Sequence, residues 1–170
     1  PVGDYAIEVG PGTLSVADTN YSLGLVAGTI TVTQAVLTVS VDDQWRLYGA
    51  TNPPFTGQVG GILNEDVIVA TYSTAAEPAS PVGAYEILPG LMGEALTNYF
   101  VITNVGTLTV TPAPLGVTAD NKSRSYGGVN PPFTGSVVGI LHNDAIEVAY
   151  TTSAGAASPS ATARATRALG

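Results

Sequence analysis

The chain repeats itself, and that repeat limits what it can fold into more than any other feature. Shifted by 78 positions, residues 20–81 align without a gap on residues 98–159, and about half of these positions are identical. The densest block is YGATNPPFTGQVGGIL from Tyr48 to Leu63, against YGGVNPPFTGSVVGIL from Tyr126 to Leu141. Asp66, Ile68 and Tyr72 return as Asp144, Ile146 and Tyr150. The opening PVGDYAI resembles PVGAYEI at 81–87 with a shift of 80, a two-residue loop difference. A period of this kind means a supersecondary unit copied in tandem. Its phase divides the chain into residues 1–34, the second part of one unit; 35–112, a complete unit; and 113–170, the first part of a third. After Pro159 the pattern gives way to a tail carrying Arg164 and Arg167. This tail reads as a non-native end, so the last strands of the third unit are expected to be missing. Pro1, with no initiator Met or signal peptide before it, reads as the cut edge of a longer protein.

Inside a unit the periodicity is that of strands. Leu37, Val39 and Val41 alternate with Thr38 and Ser40, and 29–33 and 107–111 alternate Thr with Ile, Leu or Val, a β-branched pattern suited to a half-buried pleat. Further strands are expected near 67–71, 85–88, 98–102 and 115–119. The Asn52-Pro53-Pro54 run marks a turn or edge, because proline cannot donate to a ladder. A short helical turn is expected around 62–66, and no long amphipathic helix anywhere. The expectation is a mainly β chain of small tandem sheet modules, five to seven strands per unit, strung as beads. The joint Thr111-Pro112-Ala113-Pro114 is held extended by two prolines and spaces its neighbours semi-rigidly. Its upstream counterpart, Thr33-Gln34-Ala35-Val36, lacks proline and is expected to bend more.

Composition narrows the function. With 13 acidic against 5 basic residues the net charge is −8, which disfavours a nucleic-acid or anionic-membrane surface. The absence of Cys excludes a disulfide framework, thiolate metal sites and a Cys nucleophile. No apolar run reaches the length of a membrane span.

The repeat also tests candidate chemistry, since each position can be read twice. His142, the single His, aligns with Asn64 and is expected to be an exposed loop residue rather than part of a triad or zinc site. Glu65-Asp66 aligns with Asn143-Asp144, and Asp42-Asp43 with Asp120-Asn121. These acids sit in turn contexts, where short polar side chains bond nearby backbone. No catalytic residue and no cofactor is assigned, and the chain reads as a non-enzyme. A weak calcium site at Asp42 or Asp120 is the one metal alternative. Asp42/Arg46 and Asp120/Arg124, spaced by four, are expected to form exposed ion pairs on one strand face. Tyr48 and Tyr126 are expected to pack against the Asn-Pro-Pro-Phe turn, with Phe55 and Phe133 as core anchors. Trp45, replaced by Ser123 in the second copy, is expected to be partly buried. The alternative for Trp45, Tyr48 and Tyr126 is a stacking platform for sugars.

Tyr48-Gly49 with Asn52-Pro53-Pro54-Phe55-Thr56-Gly57, then Ser80-Pro81-Val82-Gly83-Ala84-Tyr85, Asn98-Tyr99 and Gly106-Thr107-Leu108-Thr109-Val110, resemble the MBG repeat of YGX type. The resemblance implies tandem β modules of bacterial secreted and cell-surface proteins, including adhesins of the filamentous-haemagglutinin kind. It leaves two folds open: an immunoglobulin-like sandwich, or a β-grasp-like sheet with one short helix. It implies an extracellular or cell-surface location and neighbouring repeats as partners. The leading expectation is a structural spacer or stalk. The alternative is an adhesive module for mucin-type or matrix glycans.

Overall fold

The computed structural model describes residues 1–10 and 20–158. The tail after Pro159 lies outside the described residues. The chain is mainly β, built from several small sheets. β1 (Gly3–Ile7) pairs antiparallel with β2 (Gly28–Val32). Seven strands follow: β3 (Ala35–Val41), β4 (Gln44–Leu47), β5 (Gly57–Gly60), β6 (Val69–Thr74), β7 (Gly83–Met92), β8 (Tyr99–Asn104) and β9 (Gly106–Thr111). β10 (Gly116–Ala119) and β11 (Gly135–Val138) form a last antiparallel pair.

β3–β9 make two sheets, ordered β5-β3-β8 and β4-β9-β7-β6. β3 runs parallel to β8 and β4 runs parallel to β9, while the remaining pairs are antiparallel. The alternation read from the sequence supplies the core. Leu37, Val39 and Val41 are buried along β3 and Ile87, Leu108 and Val110 along the other sheet, and Val41, Ile87 and Leu108 pack with Ala76 in one cluster. Phe55, Tyr72 and Tyr85 close over that cluster. Each fully buried Leu, Ile or Val contributes roughly 1.5–3 kcal/mol, so a core this small leaves little to spare. Among the described residues the helical element is a short 3-10 turn at Glu94–Asn98, and it buries no residue.

The helical turn expected at 62–66 is corrected by the backbone. Asn64 and Glu65 have φ of 54° and 58°, and Asp66 N–H bonds the Leu63 carbonyl at 3.0 Å. Two left-handed residues in succession make a tight reverse turn of the primed type rather than a right-handed helix. His142 and Asn143 do the same at 49° and 58°.

The expected Asp42/Arg46 ion pair is also corrected. The chain turns a corner between β3 and β4, so a spacing of four no longer means one strand face. Asp42 instead holds the corner: its carboxylate accepts Thr56 Oγ1 at 2.7 Å and its N–H bonds the Thr56 carbonyl at 2.9 Å. Asp43 accepts the Thr107 N–H at 2.7 Å. Arg46 points inward, 4% exposed. It donates from Nε to Asn52 Oδ1 at 2.7 Å, from Nη1 to the Leu47 carbonyl at 3.2 Å, and from Nη2 to the Glu77 carbonyl. Asn52 passes the link on to the Ala76 carbonyl at 2.7 Å. The clamp recurs 78 residues on, where Arg124 donates to Asn130, Ser125 and Gly155. Asp120 accepts Thr134 Oγ1 and lies 3.7 Å from Lys122, not from Arg124.

The flanking pairs copy the registers of the complete unit. Gly3↔Val32 through Ile7↔Gly28 matches Gly83↔Val110 through Ile87↔Gly106. Gly116↔Val138 through Ala119↔Gly135 matches Thr38↔Gly60 through Val41↔Gly57. Gly57 shows why the turn motif ends in glycine. An added Cβ there would overlap the Ser40 carbonyl and stand 2.8 Å from the Tyr72 ring.

Candidate functional site

The groups that recur and yet do not serve the interior of a unit meet at the joints. At the downstream joint, Tyr48 and Gly49 follow β4 and are fixed by their own unit: Tyr48 N–H bonds the Thr111 carbonyl at 2.8 Å, and Gly49 N–H bonds the Pro78 carbonyl at 3.1 Å. So placed, Tyr48 meets the left-handed turn of the following unit. Its ring sits edge-on to His142, with centroids 5.4 Å apart and planes at 70°. Its hydroxyl donates to Asp144 Oδ1 at 3.2 Å. That bond, reinforced by partial burial and the carboxylate charge, raises the Tyr48 phenol above its ordinary 10.0. Gly49 has φ of 83°, and a Cβ there would stand 2.5 Å from Leu141 Cδ1. Glycine therefore lets Leu141 close on the backbone. An open cleft of about 240 Å³ beside the contact is lined by Val82, Pro112, Leu115, Leu141 and Ile146.

The upstream joint uses the equivalent surfaces. Val2 N–H bonds Asn98 Oδ1 at 3.0 Å, and Gln34 Nε2 reaches the carbonyls of Thr97 and Tyr99, each at 3.1 Å. Gln34 thereby ties down the joint that lacks proline. A cleft of about 160 Å³ lies between Val2, Val32 and Ala35 on one side and Leu63, Asn64 and Asp66 on the other. The turn that forms this seat is fixed from behind by buried Tyr99. Its hydroxyl accepts the Leu63 N–H at 2.9 Å and donates to Asp66 Oδ2 at 2.7 Å. The bond to Asp66 raises the Tyr99 phenol above 10.0, burial and the Asp66 charge adding to it and the Leu63 backbone bond opposing it.

Residues 37–109 and 115–164 match the MBG domain (YGX type) family. The chain belongs to that family. The stretch between the two matched segments holds the Pro112-Ala113-Pro114 joint, and each segment contains one Tyr-Gly pair, Tyr48-Gly49 or Tyr126-Gly127. No curated protein matches the chain, and no solved structure does.

The aromatics singled out from the sequence do not come together. Trp45 is 68% exposed rather than partly buried: strand alternation along β4 turns Arg46 inward and Trp45 outward. Tyr126 is 70% exposed. The ring contact of Tyr48 is with His142 of the next MBG unit. Among the described residues no ring contact links Trp45, Tyr48 and Tyr126. His142 is the exposed turn residue expected, and its ring also meets Tyr48. Among the described residues no group of three or more His, Asp or Glu is gathered as metal ligands, and no helix is long and apolar enough to cross a membrane. Reading the sequence missed the Arg46–Asn52 clamp, although Arg and Asn recur six apart in both copies. It also missed the joint role of Leu141 and Asp144, for which recurrence at Leu63 and Asp66 was the available signal.

Proposed function

We propose that this segment is a spacer: MBG units set end to end in a bacterial secreted or cell-surface protein, holding another part of that protein away from the surface. The observation that carries this reading is the joint. Tyr48, Gly49, Leu141, His142 and Asp144 lock one unit onto the next through a ring contact, a hydrogen bond and close backbone packing. Bonded joints of fixed length transmit direction along a stalk, whereas domains that reorient need slack linkers. The recurring polar groups are spent on corners and clamps, so no reaction is assigned and the segment is read as non-catalytic. An acidic surface keeps such a rod solvated and well spaced from its neighbours. The test uses spin labels on introduced cysteines, Thr71→Cys and Thr118→Cys, one in each of the two joined units. Pulsed dipolar spectroscopy should give one narrow distance distribution that broadens in Tyr48→Ala. An equally broad distribution in both proteins would refute the spacer reading.

A second reading, adhesion to mucin-type glycans, is favoured by one observation: Trp45 and Tyr126 present their rings to solvent. Exposed aromatic faces stack on apolar sugar faces. Saturable binding to immobilised mucin, lost in Trp45→Ala, would replace the spacer reading. No retention of the wild type at high micromolar concentration would remove the adhesive one.

A further inference from the structure

We propose that the complete MBG unit bears tension, and that the seam between its entering and leaving strands is the element that resists a pull along the chain. The inference deepens the spacer reading and rests on it, since a stalk that holds another part out is loaded whenever that part is pulled. The chain enters the unit through β3 and leaves it through β9. β3 runs on through a corner into β4, and β8 runs on through a corner into β9. The two runs lie side by side and parallel, Ala35↔Tyr99 to Ser40↔Asn104 in one sheet and Gln44↔Leu108 to Leu47↔Thr111 in the other. Both ladders keep one offset, so the runs change sheet together without slipping. At the corner the Asp43 carboxylate accepts the Thr107 N–H at 2.7 Å. Buried Gly106 lets the two corners nest, since a Cβ there would stand 2.8 Å from the Asp42 carbonyl oxygen. Beyond β4 the Tyr48 N–H bonds the Thr111 carbonyl at 2.8 Å and closes the seam at its exit.

Direction decides how such a seam fails. Because the runs are parallel, pulls on Ala35 and on Thr111 act at opposite ends of the seam and in opposite senses. The evenly spaced ladder bonds all cross the line of pull and are loaded together. A pair pulled apart from one end opens one bond at a time instead. The strands that take the load are interior ones: β3 lies between β5 and β8, and β9 between β4 and β7. Neither can be peeled away as an edge. Leu37, Val39, Leu108 and Val110, all buried, keep water from the inner flank of the seam. The β6–β7 pair supplies the contrast within the same unit. It is antiparallel, β6 is the edge of its sheet, and Val69↔Met92 stands at its open end.

The experiment is single-molecule stretching of the 170-residue chain, whose lack of cysteine leaves it free for paired handles. Thr33→Cys with Pro112→Cys, both exposed, pulls the seam in shear; Val67→Cys with Met92→Cys, also exposed, pulls open the β6–β7 pair. The first geometry should give one rupture that releases a length on the order of 250 Å. Its force should be several times that of the second geometry. Asp43→Ala removes the corner bond at an exposed site, and Trp45 fluorescence checks that the unit still folds. The variant should lower the rupture force in the first geometry and leave the second unchanged. Forced unfolding follows the rate at which the native state gives way, so a general loss of stability would weaken both geometries alike. Equal forces in the two geometries, an Asp43→Ala effect shared by both, or no effect on the first would each overturn the proposal. A narrow distance distribution across the joint together with a weak seam would keep the spacer and reject its tension-bearing role.

Discussion

Replacing Arg46 by Met tests whether a buried guanidinium without a carboxylate partner holds the unit together. The side chain is nearly sealed from water and donates to three neutral acceptors, Asn52 Oδ1 and the carbonyls of Leu47 and Glu77. Hydrogen bonds to a charged group contribute about 1.5–3 kcal/mol each. Two terms reduce the loss. Leu47 and Glu77 are exposed residues, so their carbonyls can find water, and removing a buried cation recovers part of its desolvation penalty. The net expectation is about 2–3 kcal/mol of destabilisation, a fall in Tm on the order of 10–20 °C for a unit of this size. Trp45 is the single Trp and neighbours Arg46 on β4, so its fluorescence during thermal or urea unfolding reports this unit selectively. The Arg46→Met/Asn52→Ala double-mutant cycle should return a coupling of about 1–2 kcal/mol. Arg124→Met, in the other copy of the clamp, should leave the Trp45 transition in place. A variant as stable as wild type, or more stable, would mean that desolvation outweighs the clamp, and the reasoning would fail.

The joint can be probed by a matched pair of glycines, since Gly49 and Gly127 have φ of 83° and 78° but only Gly49 has a neighbour against its Cβ position. Both Ala variants should lose about 1–2 kcal/mol to left-handed strain, measured by urea unfolding, while only Gly49→Ala should broaden the spin-label distances across the joint. Alkaline titration follows from the raised phenols: Tyr48 and Tyr99 hold their protons more tightly folded than unfolded, so their contribution is intact below pH 10 and is lost as pH rises through their folded values. Melting scans between pH 8 and 12 should show that decline, and Tyr99→Phe should flatten part of it. Calcium at millimolar concentration should leave the Tm unchanged, because the Asp42 carboxylate is engaged by Thr56; a rise that disappears in Asp42→Asn would restore the metal site.

Strand content was legible because alternation and turn chemistry are local. The pairing partners were not, because two parallel ladders, β3 with β8 and β4 with β9, join residues about 64 positions apart. A spacing rule fails wherever the chain changes sheet, which is why Asp42 and Arg46 were read as neighbours on one face. The turn at 62–66 was misread for a related reason. Its sequence, Ile-Leu-Asn-Glu-Asp, has no glycine to announce positive φ, and the conformation is held by Tyr99 from 36 residues away. Arg46 was the hardest to foresee, since a lone cation on a short strand is ordinarily solvated, and its acceptors are mostly backbone carbonyls that no sequence pattern reveals.

The distribution of recurring residues separates what folds a unit from what joins units. Leu37/Leu115, Val39/Val117, Arg46/Arg124 and Asn52/Asn130 recur, and in the complete unit they serve its interior. Tyr48/Tyr126 and Gly49/Gly127 recur as strictly, yet the Tyr48 hydroxyl and ring find their partners in the next unit. Tyr126 makes the same point from the other side: it keeps the identity of Tyr48 while standing exposed. Trp45/Ser123 and Leu47/Ser125, which point outward between these positions, differ freely. A glycan platform built on Trp45 would therefore belong to one copy alone, whereas the joint belongs to the design of the repeat. If that assignment is right, Tyr48→Ala will disturb the geometry between units far more than the unfolding of its own unit, and Trp45→Ala will disturb neither.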